Sequence, residues 1–214
     1  MQMVRVLGIS GSSRPGGNTS ILIEEALEGA KDFGADIEFL ELAPLLLNPC
    51  LHRGECYELG HCHQDDDLNR VVERMYAADG IIVGSPVHFG SVTASMKNFM
   101  DRCGRFAHLE GKVGCSIAVT NRSGADLTVS QMLFFLLVKE MIVPGGMSWP
   151  IGMALNIGDI RSDVDAMDMA KQMGRRVANL ADILVKVPVA WRYEPRLPDA
   201  KARFGDEWRS LTSD

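Results

Sequence analysis

The sequence predicts an α/β fold, a five-stranded parallel sheet covered by helices on both faces. Three observations predict it. Short, largely apolar runs at 4–9, 80–84 and 112–120 alternate with longer segments whose apolar residues recur at helical spacing. Continuous apolar runs bounded by turn residues suit strands buried on both faces, and regular β–α alternation makes neighbouring strands parallel. Loops rich in Gly and Ser follow three of these runs, at strand carboxyl ends, where open α/β sheets bind their ligands.

The run at 4–9 is the first strand. After it Leu22, Ala26, Ala30 and Phe33 fall at helical spacing, with Glu24, Glu25 and Glu28 elsewhere on the surface, and Gly34 occupies the terminating position. Residues 36–42 alternate as a strand, with Ile37, Phe39 and Glu41 on one face and Leu40 and Leu42 nearer the other. Residues 43–64 break the pattern with Pro44, Pro49, Gly54 and Gly60, and a loop of that length is functional or disordered. Asp65, Asp66 and Asp67 cap the next helix, whose Leu68, Val71, Val72, Met75 and Tyr76 form one stripe. A strand at 80–84, a loop at 85–93 and a helix at 94–106 follow. Then come a strand at 112–120, a loop at 121–126 and a helix at 127–142. That helix is apolar on nearly every side, which suits a large core or a subunit interface. A short last strand is expected at 146–151. Ser162, Asp163, Val164 and Asp165 resemble a capping box for a helix that reaches 186 and ends at Pro188. The tail at 189–214 carries Trp191 and Trp208 and is expected to form a short helix or wrap a partner subunit. The organisation is one domain over 1–187, interrupted by the 43–64 insertion loop, and a C-terminal extension at 188–214.

Composition narrows the function classes. A chain of 214 residues with 46% hydrophobic content fills one sizeable core. The net charge of −6 gives nucleic-acid binding no electrostatic support. Residues 1–15 lack the apolar core of a signal peptide, and the longest strongly apolar run, 132–138, is too short to cross a bilayer. No membrane association is expected. Five cysteines, an odd number without an export signal, point to a reduced, cytoplasmic protein.

The first loop, Ser10-Gly11-Ser12-Ser13-Arg14-Pro15-Gly16-Gly17-Asn18-Thr19-Ser20, joins a strand to a helix N-terminus. Backbone N–H groups and the helix dipole there favour an anion, and hydroxyls add donors. A triphosphate-binding loop needs Lys and then Ser or Thr after its second Gly, where this chain has Gly17 and Asn18. The G-x-G-x-x-G spacing of dinucleotide sites is also missing. What remains is a loop for one terminal phosphate, as on a mononucleotide such as FMN, or a plain turn with Asn18 or Thr19 as N-cap. The loops after residues 9, 84 and 120 together suggest one ligand gripped three times.

The segments GSSRPGGNTS, SPVHFGSVTASMKNFMDR and GKVGCSIAVTNRSGAD, in that order, resemble the flavodoxin-like NADPH-dependent FMN reductases, especially their iron–sulfur flavoprotein branch. The resemblance implies a doubly wound sheet of order 2-1-3-4-5 and bound FMN. It implies that Ser10, Ser12, Arg14, Asn18, Thr19 and Ser20 hold the phosphate. Pro86, Val87, His88, Phe89, Gly90 and Ser91 would run along the isoalloxazine and ribityl chain, and Thr120, Asn121, Arg122 and Gly124 would close the other side. Two positions depart from the family: Tyr is usual where His88 stands, and a Gly-rich run is usual around 121–124. Arg122 is the candidate cation beside flavin N1 and O2. No side chain is expected to be catalytic, because the flavin carries the redox chemistry. The implied partners are NAD(P)H or a protein donor, and a small acceptor such as a quinone, a free flavin or a metal-linked carrier. The alternative is a non-enzymatic electron carrier or redox sensor. A homodimer or homotetramer is expected, with flavin near subunit contacts.

The 43–64 loop holds Cys50, Cys56 and Cys62 with His52, His61 and His63. Iron–sulfur flavoproteins carry four closely spaced cysteines here for a [4Fe–4S] cluster. Aligned on Asn48-Pro49-Cys50 and on Asp65-Asp66-Asp67, three of the four are present, and Arg53, which cannot ligate iron, holds the second position. Three readings stay open. The favoured one is a metal-free relic that packs against another subunit. The others are a [4Fe–4S] cluster or zinc, with a histidine as fourth ligand. Cys103 and Cys115 are expected to act as small buried hydrophobes.

Overall fold

The protein is described here by a computed structural model covering residues 3–146 and 149–187. Its sheet has the order β2-β1-β3-β4-β5, all parallel, as the resemblance implies. The strands are β1 (Arg5–Ser10), β2 (Asp36–Glu41), β3 (Gly80–Pro86), β4 (Val113–Thr120) and β5 (Ile151–Met153). The helices are α1 (Asn18–Phe33), α2 (Cys56–Leu59), α3 (Leu68–Ala77), α4 (Ala94–Phe106), α5 (Ala125–Val138) and α6 (Val164–Lys186). Among the described residues, no helix is long and apolar enough to cross a membrane.

The apolar runs work as expected of doubly buried strands. Val6 and Ile82 face α1 and α6, whereas Leu7 and Ile81 face α3, α4 and α5. Neighbouring residues therefore serve opposite layers, and neither face can be polar. Helices α1 and α6 approach closely enough that a Cβ on Gly174 would lie 1.7 Å from the Ala26 carbonyl oxygen, and one on Gly29 would lie 2.0 Å from that of Lys171. The chain leaves β1 toward β2 and returns to β3 on the other side of β1. The loops after β1 and β3 therefore part, and a crevice opens above their carboxyl ends.

Four expectations are corrected. The last strand is Ile151–Met153 rather than 146–151. Pro150 has no N–H for a ladder; its carbonyl accepts from the Ala118 N–H at 3.1 Å, and pairing runs on from there. Helix α5 stops at Val138, because the chain turns through Glu140 (φ 55°) and Ile142 then pairs with the start of β4. The N-cap of α1 is Gly17, since the Asn18 side chain is engaged elsewhere. The three aspartates do not act alike. Asp65 is exposed, Asp67 binds the Leu46 N–H and Arg70, and Asp66 accepts from the Leu68 N–H while turning toward Arg102. The helix or wrap expected at 189–214, and the stop at Pro188, lie outside the described residues.

Candidate functional site

A cavity of about 370 Å³ sits in that crevice, where four strand-end loops meet. Its volume is within the range of small-ligand sites. Ser12, Ser13, Arg14, Gly17, Asn18 and Thr19 form one wall, and Pro86, Val87 and His88 form the second. Val119, Thr120 and Asn121 form the third. The fourth, Ala154, Leu155 and Ile157, follows β5.

The first wall is stiff. Ser12 Oγ accepts from the Arg14 N–H and donates to the Arg14 carbonyl, both at 3.1 Å. The Gly11 N–H reaches the Gly84 carbonyl at 2.7 Å, and the Thr93 hydroxyl donates to the Gly11 carbonyl at 2.6 Å. Thr93 also caps α4 by accepting from the Met96 N–H at 3.2 Å, so one hydroxyl ties the first loop to the helix after the second. At the start of α1 no side chain caps the helix, so its first N–H groups are left for a ligand.

Nine of the expected site residues line the cavity: Ser12, Arg14, Asn18, Thr19, Pro86, Val87, His88, Thr120 and Asn121. Ser10 and Ser20 do not. They are buried behind the loop with their hydroxyls 3.0 Å apart. The Ser20 hydroxyl donates to Glu41 Oε1 at 2.6 Å, and the same oxygen accepts from the Gly16 N–H at 2.9 Å. Glu41 at the end of β2 thus anchors the loop from behind. Phe89, Gly90 and Ser91 form a tight turn closed by two hydrogen bonds between His88 and Ser91. Phe89 stands at its tip, fully exposed, with φ 52°. Ser91 donates to Gln131 Oε1 at 2.9 Å. Arg122 is exposed, and its N–H bonds Thr120 Oγ1 at 3.1 Å. Gly124 packs against Gly90, where a Cβ would come within 3.0 Å of the Gly90 Cα.

The fourth wall escapes sequence reasoning. It is held by Asn18, whose Nδ2 donates to the Asn156 carbonyl at 2.7 Å and whose Oδ1 accepts from the Gly158 N–H at 2.8 Å. The signal was its place after a strand, hidden because that strand is only three residues long.

The cysteine loop lies apart from this cavity, against α4. Arg102 is buried and makes a two-fold ion pair with Asp66. Its guanidinium also donates to the Asn48 carbonyl at 3.1 Å and to Cys62 Sγ at 3.0 Å. Arg105 lies 5.1 Å from the centre of the Tyr57 ring and borders the same small cavity as the Cys56 thiol. Burial pushes that thiol up, and Arg105 only partly offsets it. Cys50, Cys56, Cys62, Arg53, His63, Arg102 and Arg105 border a cavity of about 20 Å³. Among the described residues, no three His, Cys, Asp or Glu side chains are placed to hold a metal ion. Cys103 and Cys115 are fully buried, and burial pushes Cys115 up to about 12 and Cys103 further.

Comparison with known proteins gives the family context. The family model described as NADPH-dependent FMN reductase matches residues 4–156. The chain is 37% identical over 193 residues to an iron–sulfur flavoprotein of Methanocaldococcus jannaschii, covering 86% of this chain and 100% of that protein. It is 29% identical over 195 residues to a protein of Archaeoglobus fulgidus named NAD(P)H dehydrogenase (quinone), covering 85% of this chain and 100% of that one. Among solved structures, a flavodoxin from the domain Archaea shares the fold with a TM-score of 0.58 at 14% identity, covering 84% of this chain and 99% of that one.

Proposed function

Since this chain belongs to the NADPH-dependent FMN reductase family of FMN-binding oxidoreductases, we propose that it passes electrons from NAD(P)H, or from a protein donor, to a small acceptor such as a quinone. The observation that carries the proposal is the meeting of four strand-end loops over an uncapped helix N-terminus at the reversal of strand order. FMN supplies two-electron redox chemistry when bound. The rest is binding and positioning. The first N–H groups of α1, with Ser12 and Thr19, suit the single phosphate, and Arg14 at the rim adds charge. Val119, Leu155 and Ile157 exclude water from part of the wall. Pro86, Val87 and His88 face Thr120 and Asn121 across the space for the ring. Overall, NAD(P)H, a proton and a quinone become NAD(P)+ and a hydroquinone, with two electrons passed. The relative named as a quinone-reducing dehydrogenase supports that acceptor class.

We also propose a homodimer or homotetramer. Leu127, Phe134, Leu137 and Val138 on α5 are exposed large hydrophobes beside a groove of about 670 Å³ between α4 and α5. Monomeric proteins rarely leave so much apolar surface in water. Light scattering at micromolar concentration tests this, and a monomer refutes it.

The test of function is the visible spectrum of the purified protein, then oxidation of NADH and NADPH with a quinone. A colourless protein that fails to take up added FMN refutes the reading. Bound FMN without turnover assigns the chain to electron carriage instead.

A further inference from the structure

We propose that the 50–63 loop of this chain operates without an iron–sulfur cluster, as a thiol clasp held by guanidinium groups, and that Arg53 is the residue that decides this. The donor set does not fit a four-thiolate cube. Three cysteines border the cavity, and the second of the four positions carries Arg53, a permanent cation with no lone pair for iron.

The surroundings of the cysteines point the same way. The Cys62 sulfur accepts a hydrogen bond from Arg102 Nη2 at 3.0 Å. That guanidinium cannot swing away cheaply, because Asp66 and the Asn48 carbonyl also hold it in a buried place. Arg105 rests on the Tyr57 ring and borders the same cavity as Cys56. Two guanidinium groups from α4 therefore share that cavity with the three thiols.

The space between them is small. With the Arg53 side chain forming part of its wall, the cavity is about 20 Å³, room for one water-sized group and not for a cube of four irons and four sulfides. Replacing Arg53 is what would enlarge it. Three buried polar atoms without partners belong to residues that border it: Arg102 Nε, Arg105 Nε and His63 Nε2. The two arginine Nε–H groups are obligate donors. They call for a hydrogen-bond acceptor and cannot ligate a metal.

The consequence for electron flow rests on the proposed function. With no cluster to relay single electrons through this loop, the acceptor must reach the cavity of the strand-end loops itself. That favours a small molecule over a protein carrier docking on the cysteines.

The experiment is anaerobic reconstitution of the full chain with ferrous iron, sulfide and a thiol reductant. Iron, acid-labile sulfide and cluster absorbance are measured in wild type, Arg53→Cys and Arg53→Ser. The expected result is no stoichiometric iron or sulfide in wild type or Arg53→Ser. Arg53→Cys should gain a full complement of about four of each, the content of one cube. Arg53→Ser separates the gain of a thiolate from the loss of a charge. Wild type that takes up four irons and four sulfides overturns the proposal. So does an Arg53→Cys chain that folds but stays iron-free, because the decision then does not lie at position 53. Uptake of FMN reports folding in every variant, since the flavin cavity shares no residue with this loop. Failure of FMN uptake in wild type would sink the proposed function and leave the iron result to be read on its own.

Discussion

Replacing Arg102 with Met should be among the most damaging single changes outside the proposed flavin cavity. The side chain is 1% exposed and that of Asp66 0%. The substitution keeps the volume along α4 but deletes the guanidinium. Removing one partner of a buried ion pair costs about 3–5 kcal/mol, because the other charge is left buried. Asp66 keeps three other donors: the Asn48 N–H at 3.0 Å, Asn48 Nδ2 at 3.2 Å and the Leu68 N–H at 3.2 Å. Those bonds place the loss near the lower bound, about 3 kcal/mol. With a urea dependence of about 2 kcal/mol per molar, the midpoint falls by roughly 1.5 M. The pH dependence supplies a second arm. Burial alone would push the Asp66 carboxyl up, but hydrogen bonds from Arg102, Asn48 and Leu68 outweigh it and hold it below its ordinary 3.8. A carboxylate lowered on folding contributes fully above its unfolded value, and the contribution is lost as pH falls through the folded one. Wild type and variant should therefore differ most near neutral pH and converge below about pH 4. A midpoint shift under about 0.5 M, or a gap that stays constant from pH 7 to pH 3, refutes the reasoning.

Asn18→Ala frees the 154–158 wall without touching the core. FMN binding, followed by flavin fluorescence, should weaken by about tenfold, the share of three lost hydrogen bonds that reaches the ligand; an unchanged affinity would show that the wall is not needed. Gly174→Ala drives a Cβ to within 1.7 Å of the Ala26 carbonyl oxygen, so α1 and α6 must part. The loss should be about 3 kcal/mol, a fall in melting temperature of roughly 6–12 °C by calorimetry. Alkylation of the folded protein with iodoacetamide at pH 8, read by mass spectrometry, should mark half-buried Cys50 first and leave Cys103 and Cys115 unmodified, since burial holds both as thiols. Early labelling of Cys115 would contradict that.

The sheet was legible because burial on both faces leaves a mark that composition alone reveals. Val6 and Leu7 point to opposite layers, so the run at 6–9 had to be free of charge, whereas Arg5 at the exposed start of the strand did not. Strand β5 left no such mark. It contributes three ladder positions beside β4, and its order depends on the Pro150 carbonyl and on tertiary contacts. Once that strand was misplaced, the wall at 154–157 could not be read as a strand-end loop. For the loops that line the crevice, residue type pointed to the cavity but not to the direction of side chains. Ser10 and Ser20 have the right chemistry for phosphate, yet they face each other and Glu41. The cause is register: Glu41 is the neighbour of Ser10 across the β1–β2 ladder, a relation that no local pattern announces.

Helix α4 joins the two features that were separate in the sequence. At its N-terminus, Thr93 caps the helix and holds the loop after β1 through the Gly11 carbonyl. Farther along, Asn98 Nδ2 donates to the Leu47 carbonyl at 3.1 Å, Arg102 reaches Asn48, Asp66 and Cys62, and Arg105 borders the cavity that Cys56 lines. Residues 98, 102 and 105 are spaced by four and three, so they share one helix face. The other face of the same helix buries Met96, Phe99 and Cys103 in the core. The 43–64 segment is thus bolted to a rigid helix whose far end positions the loop after β1. The part of the family motif that contains Arg102 therefore works for the cysteine loop and not for the flavin. This also explains how the loop keeps its shape with Arg53 at the second position. Its order comes from guanidinium and amide donors on α4, which act whether or not four thiolates are present.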